Sequence, residues 1–327
     1  MAAWPVSIIE ITIMAQFQGL IAAPFTPMHA DGSLHLELIP RYYYFLKQNG
    51  VRGAFICGST GEGVSLSVQE KKQVMDAWGA CASDDESFAV MPLVGGTSIT
   101  ECRDLARHAS TAGMDAISFT APFYFKPADA QALADCCIEV GSAVPDLPFY
   151  YYHIPVLTGV GIPMIDLLRA VHGRMPSFAG IKYTHEDFMD YLSCIHFEGG
   201  CYNMLWGRDE NMLPALSLGA PGAVGSTYNY AAPLYHDLMA AHEAGDLSRA
   251  RSLQQQSIDM IRLLGKYGGI ATGKAFMRVV GMDCGAFRLP VRNMTEAQFA
   301  AFVHDTERVG FPSYCSKPVT APDAVHV

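Results

Sequence analysis

Short apolar runs punctuate the chain at 19–24, 53–57, 90–94, 116–120, 149–153, 178–182, 202–206 and 223–226. Several are rich in Val, Ile and aromatic residues and several close on Gly, Ser or Thr, so they predict eight strands. Amphipathic stretches between them, such as 67–81, 98–112 and 128–143, predict helices, and Ser67 with Glu70 and Ser98 with Glu101 stand at capping-box spacing. Eight strand-then-helix repeats over about 230 residues predict an α/β fold, a closed parallel (β/α)8 TIM barrel. An open doubly wound sheet would follow its first strand with a Gly-rich phosphate loop. Here Ala22-Ala23-Pro24-Phe25-Thr26-Pro27 follows instead. The barrel is the better reading.

Beyond Ser226 the pattern changes: 235–244, 247–264, 269–281 and 295–309 read as helices with no strand between them. The expected organisation is an N-terminal extension (1–17), the barrel (18–245), a C-terminal helical cap (246–311) and a tail (312–327) with little periodicity that is expected to fray.

Composition narrows the function classes. Half of the residues are hydrophobic and 17% are charged, with mean hydropathy +0.16, which suits a large packed core. With 32 acids against 22 Lys plus Arg, and no basic run longer than Lys71-Lys72, nucleic acid and anionic membranes are poor partners. No run approaches the ~20 apolar residues of a membrane span. Residues 1–16 lack a basic start and are interrupted by Glu10, so no secretion signal is expected. The nine cysteines are odd in number and form no Cys-x-x-Cys pair, which suits free thiols in a reducing, cytoplasmic compartment.

In such a barrel, reactive side chains belong at the C-terminal ends of the strands. Of eight lysines only Lys182 falls in an apolar strand, Phe178-Ala179-Gly180-Ile181-Lys182-Tyr183-Thr184. Desolvation at the barrel mouth would lower its pKa and free an amine for Schiff-base chemistry. A lysine paired with a buried carboxylate, or reaching solvent, fits the position equally well. Alternation along Phe149-Tyr150-Tyr151-Tyr152-His153 sends Tyr152 to the same face as Tyr150, where its hydroxyl could relay a proton or simply pack. His153 reads as a packed, hydrogen-bonded histidine.

Cys57-Gly58-Ser59-Thr60-Gly61-Glu62-Gly63 offers hydroxyl and N–H donors to a carboxylate, although the same residues describe an ordinary turn. Trp206-Gly207-Arg208-Asp209-Glu210 and Gly225-Ser226-Thr227-Tyr228-Asn229 follow the seventh and eighth strands. The two acids could receive hydrogen bonds from a polyol or open a helix. No His-x-x-x-His or Asp-x-Asp pairing accompanies them, so neither a metal nor another cofactor is expected.

In combination, the Gly58-to-Glu62 loop, Tyr152-His153-Ile154-Pro155 and Gly180-Ile181-Lys182-Tyr183-Thr184 fall in that order on strands two, five and six. This resembles the pyruvate-dependent class I aldolases typified by dihydrodipicolinate synthase and N-acetylneuraminate lyase, over about residues 18–310. Leu157 stands where the synthases carry an arginine, and 147–160 and 222–230 look like the animal-type lyases. The resemblance implies cleavage of a sialic acid to N-acetylmannosamine and pyruvate. Lys182 would be the Schiff-base lysine, Tyr152 the proton relay, and Ser59 and Thr60 the carboxylate site. Thr184, Gly207, Asp209, Glu210 and Ser226 would contact the sugar. It further implies a homotetramer, with Tyr124 in a supporting role at a subunit interface. Departures are Arg208, between Gly207 and Asp209, and Tyr183-Thr184-His185 around the lysine. Other pyruvate aldolases, acting on 4-hydroxy-2-oxoglutarate or 2-keto-3-deoxy-sugar acids or forming dihydrodipicolinate, and a non-catalytic sugar-acid sensor are the alternatives.

Overall fold

The computed structural model describes residues 17–318. The eight strands are β1 Gly19–Ala22, β2 Gly53–Ile56, β3 Ala89–Pro92, β4 Ile117–Phe119, β5 Phe149–His153, β6 Phe178–Tyr183, β7 Asn203–Trp206 and β8 Gly222–Gly225. All eight expected strands are present, with ends displaced by at most two residues. They pair in the order β3-β2-β1-β8-β7-β6-β5-β4. The remaining seam is closed by a parallel bridge between Leu93 and Ser118, where the Val94 N–H donates to the Ser118 carbonyl at 2.8 Å. The result is a TIM barrel. Most strand positions are buried on both faces, and for that reason they read as continuous apolar runs.

Helices α1 Ile39–Gln48, α2 Val68–Ala82, α3 Ile99–Thr111, α4 Ala130–Gly141, α5 Pro155–Thr158, α6 Met164–Val171, α7 Phe188–His196, α8 Met212–Ser217 and α9 Tyr228–Glu243 surround it. Three more, α10 Leu247–Lys266, α11 Ala271–Val279 and α12 Glu296–Arg308, form the C-terminal extension. Ser67 and Glu70 complete a reciprocal capping box at α2, whereas Ser98 only receives the Glu101 N–H at 3.4 Å. None of the described helices is long and apolar enough to cross a membrane, and all nine cysteines are free.

Two local features differ from the sequence expectation. Helix α9 starts at Tyr228 rather than 235, because a break at Ala231 (φ −138°) accommodates Pro233 inside the helix. The Ala232 N–H is then taken up by the Ser316 hydroxyl at 3.2 Å, while the Ser316 N–H donates to the Tyr230 carbonyl at 2.7 Å. Lys317 N–H also donates to Asn49 Oδ1 at 2.7 Å. Residues 312–318, expected to fray, are therefore docked against α9 and α1; 319–327, like 1–16, lie outside the described residues.

Parallel register decides what faces inward. Tyr152 pairs with Lys182, and Lys182 with Leu205. Phe55, Met91, Tyr150, Tyr152, Leu205 and Val224 pack inside the barrel, while Tyr151, Ile181 and Tyr183 pack outward against the helices. The alternation expected along β5 is present.

Candidate active site

Lys182 is 4% exposed near the C-terminal end of β6. Its Nζ lies 3.7 Å from the centre of the Phe55 ring and 4.1 Å from that of Tyr152. Among the described residues no carboxylate comes within ion-pair distance of it, which removes the paired-lysine reading. Burial lowers its pKa from 10.5 to about 7, and Asp209 opposes the change only through longer-range attraction. Near neutral pH a substantial fraction is the free amine.

Tyr152 is buried and meets Phe55 edge-on, with centroids 5.3 Å apart. Burial pushes its phenol up to about 12, against the Ser59 and Thr184 hydroxyls, which lower it. The structure thus brings β5, β6 and the loop after β2 together at one point. In that loop Ser59 is half-buried and Thr60 buried, and Gly61 is fixed through its carbonyl by the Thr26 hydroxyl at 2.5 Å. His153 faces outward, packed among Tyr151, Tyr183 and His185. Burial drives its pKa down to about 3, and its Nδ1 has no hydrogen bond, so it is packed but not tethered as expected.

The loops after β7 and β8 close in only because two glycines permit it. A Cβ on Gly207 would lie 1.9 Å from Thr184 Oγ1, and one on Gly225 1.8 Å from Asp209 Oδ1. Asp209 is buried, and its Oδ2 receives the Thr227 N–H at 2.9 Å and hydroxyl at 2.6 Å. Its backbone carbonyl receives Gln254 Nε2 at 3.2 Å from α10. Burial raises the Asp209 carboxyl to about 6, despite the Thr227 hydrogen bonds. Asp209 Oδ1, Thr184 Oγ1 and the Tyr228 hydroxyl are buried without a hydrogen-bond partner. Such groups are costly unless a ligand supplies the missing bonds.

Glu210 behaves differently from its neighbour. Its Oε1 accepts from Arg208 at 2.6 Å, and Arg208 also reaches Glu186 at 3.1 Å. Ser226 is half-buried at the end of β8. Tyr124 is 80% exposed after β4 and meets Phe125 edge-on, outside this cluster. Sequence reasoning overlooked Phe55, which alternation along β2 points inward, and Thr227, hidden beside Ser226 in a motif already noticed. A cavity of about 650 Å³ lined by Met28, His35, Arg278 and Phe299 lies elsewhere, and none of the expected site residues lines it.

Residues 16–308 match the dihydrodipicolinate synthetase family. The chain belongs to that family. Its relatives include the N-acetylneuraminate lyase of Rattus norvegicus, 40% identical over 86% of this chain and 89% of that protein. N-acetylneuraminate lyase A of Xenopus laevis is 41% identical over 84% of this chain and 91% of its own length. Among solved structures, Proteus mirabilis N-acetylneuraminate lyase superposes with a TM-score of 0.88 at 37% identity, covering 91% of this chain and all of that one.

The free amine at Lys182 can be tested without any substrate. In competitive labelling with an amine-reactive acylating reagent, Lys182 should become reactive as pH rises through about 7, while exposed lysines follow only near ~10. A labelling midpoint for Lys182 that coincides with that of the exposed lysines would contradict the desolvated state.

Proposed function

We propose that this chain is a sialic acid aldolase, reversibly cleaving N-acetylneuraminate to N-acetyl-D-mannosamine and pyruvate through a Schiff base on Lys182. The carrying observation is an unpaired, desolvated amine between Phe55 and Tyr152, beside a set of buried polar atoms that lack partners. Its relatives named N-acetylneuraminate lyase support the choice of substrate.

The amine adds to the C2 ketone of the open-chain sugar acid, and loss of water gives an iminium. That cation takes up the electron pair of the breaking C3–C4 bond, leaving an enamine, while the C4 hydroxyl loses its proton and becomes an aldehyde. Tyr152 is the group placed to hold that proton. At about 12 its phenol is a weak acid, protonated while Lys182 is neutral. It would give that proton to the hydroxide expelled as the iminium forms, and the new cation next to the ring favours the phenolate that then accepts the C4 proton. Returning the proton to the enamine carbon and hydrolysing the iminium release pyruvate and the free lysine.

Ser59 and Thr60 would donate to the C1 carboxylate. Thr184, Asp209 and Ser226 would meet the sugar hydroxyls, with Gly207 leaving room for them. Glu210 would contribute less than the sequence suggests, since Arg208 already occupies its carboxylate. Leu157, 63% exposed on α5, gives no cation for a second carboxylate, as dihydrodipicolinate formation would require. The same reading implies a cytoplasmic homotetramer. The exposed Phe123, Tyr124, Phe125 and Val156 support burial of that face against another copy.

Borohydride reduction in the presence of pyruvate should add permanent mass to the wild type and none to Lys182→Ala. Labelling of the variant, or none in the wild type, would refute the nucleophile; the second result would also leave a sugar-acid sensor as the better account.

Tyr152→Phe should still form the iminium but lose about 10²–10⁴-fold in kcat. Near-wild-type cleavage by this variant would move the proton relay elsewhere.

Asp209→Asn keeps an acceptor for Thr227 but alters the unpaired oxygen. The KM for N-acetylneuraminate should rise about 10-fold or more, from hydrogen bonds worth roughly 1–3 kcal/mol, with much less effect on a short 2-oxo acid. Equal damage to both substrates would take Asp209 out of the sugar site.

A further inference from the structure

The loop carrying Ser59 and Thr60 begins and ends in left-handed backbone, with Cys57 at φ +55° and Glu62 at φ +57°. Neither residue has glycine's freedom there, so the shape must be held by surrounding contacts. At Glu62 the C-terminal extension supplies them. Glu62 Oε1 accepts from Lys274 Nζ of α11 at 2.8 Å, and Oε2 accepts from the backbone N–H of Arg288 at 2.8 Å. Both side chains of the Glu62–Lys274 pair are 3% exposed. Lys274 also donates to the Ala286 carbonyl at 2.9 Å and sits 4.7 Å from the centre of the Phe287 ring. The Arg288 guanidinium in turn grips Glu70 of α2 and the carbonyls of Ser65 and Gly32, so the anchor itself is fixed.

Charge gives the pair a second consequence. Glu62 lies two positions after Thr60, in the loop that would receive a carboxylate. Left as an unpaired buried anion, it would repel that ligand; paired with Lys274, it presents no net charge.

We propose that Lys274 is a positioning residue: acting through Glu62, it holds and neutralises the loop so that Ser59 and Thr60 can donate to the carboxylate of a 2-oxo acid. The inference rests on the carboxylate-site reading of that loop. Lys274 touches no reacting atom. It contributes by keeping an otherwise unfavourable loop shape in place before the ligand arrives, which lowers the cost of binding.

The test uses the full-length enzyme, pyruvate alone as the ligand, and borohydride trapping across a pyruvate titration. Lys274→Met should raise the half-saturating pyruvate concentration about tenfold or more, since a buried ion pair loses one partner. The fraction trapped at saturation should stay near that of the wild type, and in sialic acid cleavage KM should rise more than kcat falls. The double variant Glu62→Gln/Lys274→Met, which removes both charges, should recover most of the lost affinity. Wild-type half-saturation in folded Lys274→Met would overturn the proposal. So would a uniform loss of trapping at every pyruvate concentration, the mark of a merely structural role. Should Lys274→Met fail to fold, Glu62→Gln carries the test, because its amide sets an NH2 against one of the two donors. The same rise is expected there, and an unchanged half-saturation overturns the idea. Absence of trapping in the wild type would instead remove the aldolase reading, so the two failures are distinguishable.

Discussion

The barrel mouth depends on keeping one amine dry and without an ion partner. Moving a lysine from 10.5 to about 7 disfavours its ammonium form by roughly 5 kcal/mol. That cost has a definite pH dependence. Above pH ~10.5 the lysine is neutral whether folded or unfolded, and nothing is lost. As pH falls toward about 7 only the unfolded chain takes the proton, so folded stability declines; below that both states hold it, and the penalty stays constant. Hydrophobic burial elsewhere has to offset it. The barrel interior provides this with Phe55, Tyr150, Tyr152 and Leu205 packed around the strand ends.

The requirement on Asp209 follows from the same amine. A carboxylate in contact with Lys182 would restore the cation and leave no free amine. Asp209 instead acts at longer range, because Thr227 and Gln254 hold it from the β8 loop and from α10. Glu62, on the opposite side in sequence, is held by Lys274 of α11. The C-terminal helices therefore do more than cover the barrel: two of them anchor acids in the loops that its strands present.

Periodicity made the strands readable because those buried on both faces leave continuous apolar runs, and Lys182 stood out as the lysine inside one of them. Alternation likewise put Tyr150 and Tyr152 on one face of β5, which the structure turns to the barrel interior. Contacts between distant segments left no such trace. Glu62 and Lys274 are 212 positions apart, and nothing local distinguishes that lysine from others on helices. Pro233 concealed the beginning of α9, and the docking of Ser316 depends on the N–H freed by the resulting break. A short polar tail signals fraying unless one knows which buried donor it will meet.

Two adjacent acids with identical sequence standing, Asp209 and Glu210, acquire opposite electrostatic roles, and Arg208 is the reason. Arg208 draws Glu210 into an ion pair shared with Glu186, leaving Asp209 as the carboxylate that the lysine feels. The arginine that interrupts the expected Gly207–Asp209 pattern thus separates the two acids, ion-pairing Glu210 while Asp209 stays buried beside Thr227. It does so while leaving Asp209 Oδ1 buried and unpaired, an acceptor whose desolvation nothing else in the loop offsets.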